Sequence, residues 1–289
     1  MKKKIFGVLV LLIIGITVVF ASCSKKVAFG VQTGTTGAFY FQDEVLDGKE
    51  NQQVLRSYNQ YAMALSDVKN GVIEGVIMDH KPAKSYVKNI GGLKIVDNVT
   101  TEEEFAFAVA KNETSKDLLN VLNKFLDAKK DEVKKITEQT EFNLHTIPVA
   151  QDKVNQIVMV TEAGFAPYEL KVGDQYKGID IEIGLKFVEY INTNLAVKQS
   201  LGYAEDTVVE FAIEDVNFDA IAPTVQADKK GKKIAMAGFT KNAEREKILN
   251  FTTSYDTNHL VLVVKEKNTK YDGIKTPEEF IAKFKKVIK

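Results

Sequence analysis

The chain has 289 residues, of which 45% are hydrophobic and 27% charged, and this length and composition suit a globular protein with two domains. The 39 basic and 39 acidic residues cancel, so the charge balance gives no indication of a nucleic-acid partner. The single cysteine, Cys23, excludes an internal disulfide bond.

The N-terminal segment has the pattern of a bacterial lipoprotein signal. Three lysines follow Met1, an uncharged apolar run extends to Phe20, and two small residues precede Cys23. We expect residues 1–22 to be a signal peptide and Cys23 to carry lipid. Phe20 stands where such signals usually have leucine, and an uncleaved membrane helix over the same run is the alternative. Both interpretations place the remaining chain outside the cytoplasmic membrane, in the periplasm or on the cell surface.

After Cys23, segments with strand and helix patterns alternate. In chain order they are strand Val27–Gln32, helix Tyr58–Asn70 ending at Gly71, strands Val72–Met78 and Glu103–Ala110, a helix capped by Ser115 that runs through Leu126, an aperiodic surface linker at 138–153, strand Ile157–Val160, helix Ile179–Asn194, strands Glu210–Ile213, Ile234–Ala237 and His259–Val264, and helix Thr276–Lys289 with Pro277 in its capping box. This alternation predicts an α/β protein with mostly parallel sheets.

A cation and hydrogen-bond donors suited to a carboxylate occur together in Ala237–Arg245 (AGFTKNAER). The guanidinium of Arg245 can bind a carboxylate through two bonds, and the turn before it offers N–H groups and the Thr240 hydroxyl. The start of the helix adds positive potential. Alone, this pattern also fits a surface arginine between Glu244 and Glu246.

Two further segments have features of a binding site. Val31–Gly37 (VQTGTTG) places glycines and hydroxyls between a strand and a helix, but it lacks the Gly-Lys-Ser/Thr of a phosphate loop, and most such segments are only turns. Asp79 ends a predicted parallel strand, at the edge where open α/β sheets bind ligands. An aspartate in this position can also simply cap the next turn.

In a rotated order, Val160–Leu170 (VTEAGFAPYEL), Ala237–Arg245 and Val31–Gly37 resemble the polar amino acid family of periplasmic solute-binding proteins, which feed ABC importers. The resemblance implies a circularly permuted α/β fold of the type II periplasmic binding proteins, with two lobes hinged by two crossing strands. The implied segments are 27–102 plus 267–289 for one lobe, 110–257 for the other, 103–110 and 258–265 for the crossing strands, and 138–153 for the permutation linker.

The resemblance also implies ten ligand-binding residues in a cleft between the lobes. They are Arg245, Gly238, Thr240 and Thr36 at the ligand α-carboxylate, Gln32 and Thr35 nearby, Asp79 at the α-ammonium, Phe165 and Phe218 against the side chain, and Glu162 at its tip. An anion beside aromatic rings favours a lysine or arginine ligand through charge pairing and cation–π contact. Without the family context, the two phenylalanines are more typical of a core.

The sequence shows no recognisable catalytic or metal-binding motif. His80, His145 and His259 are scattered along the sequence without metal-ligand spacing, and neither a nucleophile elbow nor a dinucleotide fingerprint occurs. The sequence therefore predicts a protein that is not an enzyme, without metal or cofactor.

The implied function is capture of a polar, in particular cationic, L-amino acid by a lipid-anchored protein that delivers it to ABC permease subunits. Two alternatives stay open: a sensory receptor for a signalling partner, and a periplasmic dehydratase with Glu162 as the general acid. Three features depart from the family pattern: an apparent insertion at Leu201–Thr207, Lys233 where aspartate is usual, and Pro82 one place later than is common.

Overall fold

The computed structural model describes residues 27–49, 51, 53–100 and 102–288. The predicted signal peptide and Cys23 lie outside these residues. A search of the described helices finds none that is both long and apolar enough to cross a membrane.

Strands and helices alternate along the described chain. The strands are β1 (Phe29–Gln32), β2 (Leu55–Tyr58), β3 (Gly75–Asp79), β4 (Leu93–Val96), β5 (Glu103–Phe105), β6 (Ala108–Ala110), β7 (Gln156–Thr161), β8 (Gly164–Phe165), β9 (Glu169–Val172), β10 (Gln175–Lys177), β11 (Glu210–Asp215), β12 (Lys233–Ala235), β13 (Leu249–Phe251), β14 (Asp256–Asn258) and β15 (Leu260–Lys265). The helices are α1 (Thr36–Tyr40), α2 (Tyr61–Asn70), α3 (His80–Ile90), α4 (Lys116–Ala128), α5 (Lys130–Thr137), α6 (Ile179–Thr193), α7 (Leu195–Ser200), α8 (Phe218–Gln226), α9 (Ala243–Glu246) and α10 (Pro277–Val287).

Two five-stranded sheets carry the fold, and both have the same plan. Sheet 1 has the strand order β2-β1-β3-β15-β4, and sheet 2 has the order β11-β7-β12-β6-β13. In each sheet the first three strands are parallel, and the fourth position is taken by a strand from a distant part of the chain. That inserted strand, β15 or β6, runs antiparallel to both of its neighbours. The predicted α/β class is therefore confirmed, with mixed sheets.

The chain crosses between the two sheets twice. Before β6 enters sheet 2, β5 pairs with β14 in a two-stranded antiparallel ribbon, and β15 then enters sheet 1. The predicted single strand over residues 103–110 is thus divided at Ala106 and Phe107. Their backbone N–H groups donate to Phe239 O at 3.1 Å and to Thr252 Oγ1 at 3.1 Å instead of to a sheet neighbour.

An aromatic core joins the first strand of sheet 1 to the last helix. The Phe284 ring lies 4.3 Å from Phe29, 5.2 Å from Phe41 and 4.3 Å from Phe280, measured between ring centroids. All four side chains are fully buried, and loss of one such ring typically costs about 3–5 kcal/mol. Helix α10 therefore packs firmly on β1.

Caps and edges account for most differences between prediction and structure. The helix predicted from Tyr58 begins at Tyr61, because residues 55–58 form β2, a partly exposed strand without a clear apolar pattern. Ser115 does not cap α4 through its side chain; Asn112 Oδ1 instead accepts a bond from Ser115 N at 3.0 Å. The predicted Thr276 cap is present, since its hydroxyl accepts from Glu279 N. Residues 138–153 contain no strand, only isolated bridges.

Candidate functional site

The ends of strands from both sheets meet at one site. Gln32 ends β1 and Glu162 directly follows β7, and Gln32 Nε2 donates to Glu162 Oε2 at 2.7 Å. A second contact between the sheets joins Arg245 Nη2 to Gly34 O at 3.0 Å. These bonds define a cleft between sheets 1 and 2 that contains residues from all three segments identified in the sequence.

Arg245 is a buried cation bound only by neutral groups. Arg245 lies in the short helix α9, which Asn242 caps, and its Nη1 atom donates to Thr240 O at 2.7 Å. The guanidinium carbon lies 3.9 Å from the Phe239 ring centroid, which fixes the plane of the group. Burial lowers the pKa of Arg245 to about 10, and the negative charges of Asp79 and Glu103 oppose this shift. In the part of the chain that the structure describes, no carboxylate forms an ion pair with Arg245.

Asp79 lies at the end of β3 and is almost fully buried. Its Oδ1 atom accepts a hydrogen bond from Asn258 Nδ2 at 2.7 Å. Burial and, to a lesser extent, the nearby carboxylate of Glu103 raise the pKa of Asp79 to about 8, against the lowering effect of the Asn258 bond. Asn258 belongs to β14, so the crossing ribbon helps to position this carboxyl group. This contact residue was not predicted.

Glu103 is a second cleft residue that was not predicted. Its Oε2 atom accepts from Thr36 Oγ1 at 2.9 Å and from Thr240 Oγ1 at 3.2 Å. One of these hydroxyls comes from the sheet 1 side of the cleft and the other from the sheet 2 side. The family resemblance predicted that both would bind the carboxylate of the ligand. The Glu103 carboxyl therefore occupies the place of such a carboxylate. Burial raises its pKa, while the threonine bonds and Arg245 lower it.

Glu162 is held by Gln32 alone among the hydrogen-bonding side chains described around it. Burial raises the pKa of Glu162 to about 7, the Gln32 bond lowers it, and Asp215 and Asp219 raise it. Gln32 also donates to Asn59 O at 2.7 Å, so both of its amide hydrogens are used. The buried Oε1 atom of Gln32 has no hydrogen-bond partner among the described residues. A cation beside Glu162 would give a partner both to the Glu162 carboxylate and to Gln32 Oε1.

The two predicted aromatic residues contact different groups of side chains. Phe165 stacks on Tyr61 of α2, with ring centroids 6.0 Å apart and an interplanar angle of 22°. Phe218 begins α8 and lies near Phe239 and Arg245, at 5.8 Å and 5.5 Å. A cavity of about 220 Å³ adjoins Phe218, Phe239 and Arg245. Tyr61 is an unpredicted aromatic wall contributed by the sheet 1 side.

The polar groups of two predicted residues, Thr35 and Gly238, form hydrogen bonds within the protein. The Thr35 hydroxyl donates to Gln32 O at 2.7 Å and accepts from Ala38 N, which caps α1. The Gly238 N–H donates to the buried Asp180 Oδ2 at 2.9 Å. Gly238 has a φ of 51°, and a Cβ there would lie 2.8 Å from the Phe165 ring, so glycine is needed for this close approach.

The structure corrects the expectation that the histidines are scattered. His80 directly follows β3, His259 directly precedes β15, and their ring centroids lie 4.4 Å apart. Both rings face Asp97, which follows β4. Distance along the sequence concealed this group, because three adjacent strands bring it together.

Comparison with known proteins gives a family match over the second part of the chain. Residues 157–289 match the family model described as bacterial extracellular solute-binding proteins, family 3. The arginine-binding extracellular protein ArtP from Bacillus subtilis is 26% identical over 112 residues, which are 38% of this chain and 37% of that protein. The aligned part therefore spans little more than a third of this relative.

Two solved structures are similar over most of the chain. A phosphate-binding protein of a phosphate ABC transporter from Streptococcus pneumoniae is 13% identical and has a TM-score of 0.43, with 91% of this chain and 96% of that chain covered. Lipoprotein Tp32 from Treponema pallidum is 12% identical and has a TM-score of 0.43, with 91% and 90% covered.

The family match and the two sheets of identical plan agree with the predicted type II periplasmic binding protein fold. Over residues 157–289, a little less than half of the chain, the protein is similar to the bacterial extracellular solute-binding proteins of family 3.

Proposed function

We propose that the protein binds an L-amino acid with a cationic side chain in the cleft between sheets 1 and 2 and delivers it to an ABC importer. In this arrangement the α-carboxylate lies at Arg245, with the hydroxyls of Thr36 and Thr240. The α-ammonium lies at Asp79, and the side-chain cation lies at Glu162.

The observation that carries this proposal is the surplus of carboxyl groups in the cleft. Asp79 and Glu162 are buried there and Glu103 is half-buried beside them, with one buried guanidinium, Arg245. Buried carboxylates are costly unless cations accompany them, and here burial raises the pKa of each. A dibasic amino acid brings two cations and one carboxylate, so it supplies the missing positive charge. A neutral zwitterion adds no net charge.

The ligand of the relative supports the same chemical class. The protein from Bacillus subtilis is named as arginine-binding, and 112 aligned residues link it to this chain. Charge pairing with Glu162 and stacking against Phe165 and Tyr61 are interactions that a guanidinium or ammonium would make in this cleft.

Calorimetric titration with a panel of amino acids tests the proposal. L-arginine, L-lysine and L-ornithine are compared with L-glutamine, L-glutamate and L-leucine, and D-arginine is the stereochemical control. We expect the L-dibasic ligands to bind more tightly than the others and to raise the thermal midpoint, because they bind only the native state. Tighter binding of L-glutamate, or binding of a sugar and no amino acid, would contradict the proposal. Incubation with the best ligand should leave it chemically unchanged; turnover would favour the dehydratase instead.

We also propose that the chain is circularly permuted, with lobes formed by 27–102 plus 267–289 and by 110–257. The shared plan of the two sheets supports this, because a chain that began with either sheet could return to complete it with one last strand, as β15 completes sheet 1 here. The contact between Phe29 and Phe284 puts both ends of the described chain on sheet 1. A reordered gene that links residues 288 and 27 and opens within 138–153 should give a folded protein with unchanged ligand affinity. Failure of this variant to fold would count against the permutation.

A lipid anchor and an importer partner complete the proposed function. Three residues separate Cys23 from Val27, which corresponds to about 10 Å at full extension. A lipid on Cys23 would therefore hold β1 close to the membrane. Metabolic labelling with palmitate should mark the wild-type chain and leave Cys23→Ser unlabelled. Co-purification of the ligand-loaded protein with permease subunits would support delivery, whereas recovery with a signalling protein instead would favour the sensory alternative.

A further inference from the structure

Two of the three histidines of the chain meet an aspartate at one edge of sheet 1. The Nε2 atoms of His80 and His259 lie 3.7 Å and 3.6 Å from the same atom, Asp97 Oδ1. The three possible ligand atoms all lie within 4.8 Å of one another. From this geometry we propose that His80, Asp97 and His259 bind one first-row transition-metal ion, with Zn²⁺ as the expected occupant.

The sheet topology builds this group. Strand β15 lies between β3 and β4 and is antiparallel to both, so its start shares an edge with their ends. His259 precedes β15, His80 follows β3, and Asp97 follows β4. The backbone adds rigidity, because His80 N donates to His259 O at 3.0 Å. The three ligands are thus fixed by paired strands and not by a free loop.

The spacing fits a metal ion better than direct contact. Tetrahedral zinc with bonds of about 2.0–2.1 Å to nitrogen or oxygen separates neighbouring ligand atoms by roughly 3.3 Å. The two distances to Asp97 Oδ1 are a few tenths of an ångström longer, and both exceed an ordinary hydrogen bond. Small side-chain adjustments would close the group around an ion.

The donor set also selects the type of metal. Two imidazoles and one carboxylate suit zinc and its neighbours, whereas Mg²⁺ and Ca²⁺ prefer oxygen ligands. The side chains of His80, His259 and Asp97 are 20%, 33% and 56% exposed, so an ion can enter and water can complete its coordination. Nearby Lys81 is paired with Asp256, which reduces its repulsion of a cation.

The ligand cleft adjoins this group but is not part of it. His80 follows Asp79 and His259 follows Asn258, the two residues joined by a 2.7 Å hydrogen bond. All three metal ligands belong to the sheet 1 side, so metal binding requires no amino acid in the cleft.

Metal counting on the purified full chain tests the inference. After dialysis against Zn²⁺ and removal of loose metal, we expect one zinc ion per wild-type chain. The ion should be lost from His80→Ala and from His259→Ala. It should be retained in His145→Ala, the matched control, because His145 lies elsewhere with Glu182. Absence of bound zinc from the wild type, or unchanged zinc in both cluster variants, would overturn the inference.

A second measurement avoids any folding defect of the variants. With nitrogen-labelled histidine, the wild-type chain gives three sets of imidazole signals. Zn²⁺ should shift two sets and leave the His145 set in place, and Mg²⁺ should shift none. Zinc should also raise the thermal midpoint of the wild type. Equal shifts of all three sets, or of His145 alone, would contradict a site at His80, Asp97 and His259.

Discussion

Replacement of Arg245 by alanine is the sharpest test of the proposed cleft. The guanidinium is buried, stacks on Phe239 and donates to Thr240 O and Gly34 O. In the complex it would be the cation that faces the ligand carboxylate. Removal of one partner from a buried, hydrogen-bonded charge pair costs about 2–5 kcal/mol, so the affinity should fall at least ~30-fold.

The structure separates this loss from a folding defect. Without ligand, Arg245→Ala removes two hydrogen bonds from the charged guanidinium to backbone carbonyls, each with a net contribution of about 1.5–3 kcal/mol. Stability should therefore fall by a few kcal/mol, which the thermal midpoint reports independently of the at least ~30-fold loss of affinity. Arg245→Lys keeps the charge but lacks the planar pair of N–H donors that binds a carboxylate through two parallel bonds, and its affinity should be intermediate.

The assay is calorimetric titration with L-arginine and L-lysine, with the thermal midpoint as the measure of folding. The matched control is Arg56→Ala, which removes an exposed arginine from β2. Its affinity should equal that of the wild type. A folded Arg245→Ala protein that binds either probe within threefold of the wild type would refute the placement of the ligand carboxylate at Arg245.

Four further predictions concern the cleft carboxyl groups. Glu162→Gln should weaken binding of L-arginine at least tenfold, about 1.4 kcal/mol, and reduce its salt dependence; an unchanged titration would show that Glu162 does not reach the ligand tip. Glu103→Gln should strengthen binding, because the ligand carboxylate no longer competes with a like charge for Thr36 and Thr240, and weaker binding would instead make Glu103 a ligand contact. Since burial raises the pKa of Asp79 to about 8 and of Glu162 to about 7, binding near neutral pH should release protons, and the measured enthalpy should be more exothermic in Tris than in phosphate buffer. Equal enthalpies would mean that both groups are already ionised before binding. Without ligand, the same groups hold protons in the folded state above the unfolded pKa of about 4, so the free energy of unfolding should fall as pH rises from about 4 to about 8.

The sequence predicted those parts of the protein whose signals are local. Thr276 and Pro277 mark the start of α10 because capping depends on a few consecutive residues. Gly71 ends α2 with a φ of 76°, a conformation that glycine adopts readily. Strand β2 carried no such signal, since half of its residues are exposed and no apolar alternation marks it.

The cleft was predicted through resemblance, and its unpredicted members have a common cause. Glu103, Asn258 and Tyr61 reach the cleft from a crossing strand, its partner strand and a helix, each outside the motifs. Their roles depend on which strands pair, and no local pattern encodes this. The approach of His80 and His259 was missed for the same reason, because 179 positions separate them and only the order of sheet 1 joins them.

The identical plan of the two sheets bears on how the cleft would open. Gln32 and Asp79 end strands of sheet 1, and Glu162 follows a strand of sheet 2, so rotation of the chain order leaves these strand ends in place. If the chain is permuted as we propose, the order would change which lobe is tethered. If Cys23 carries lipid, β1 holds sheet 1 near the membrane, and sheet 2 with Arg245 becomes the half free to swing. Opening would break the bonds from Gln32 to Glu162 and from Arg245 to Gly34, two charge-assisted contacts of about 1.5–3 kcal/mol each. A ligand that replaces both of these contacts favours closure only if its own interactions in the cleft are stronger than the two contacts it replaces. We therefore expect the buried carboxyl groups, and not the bonds between the sheets, to decide which amino acid is retained.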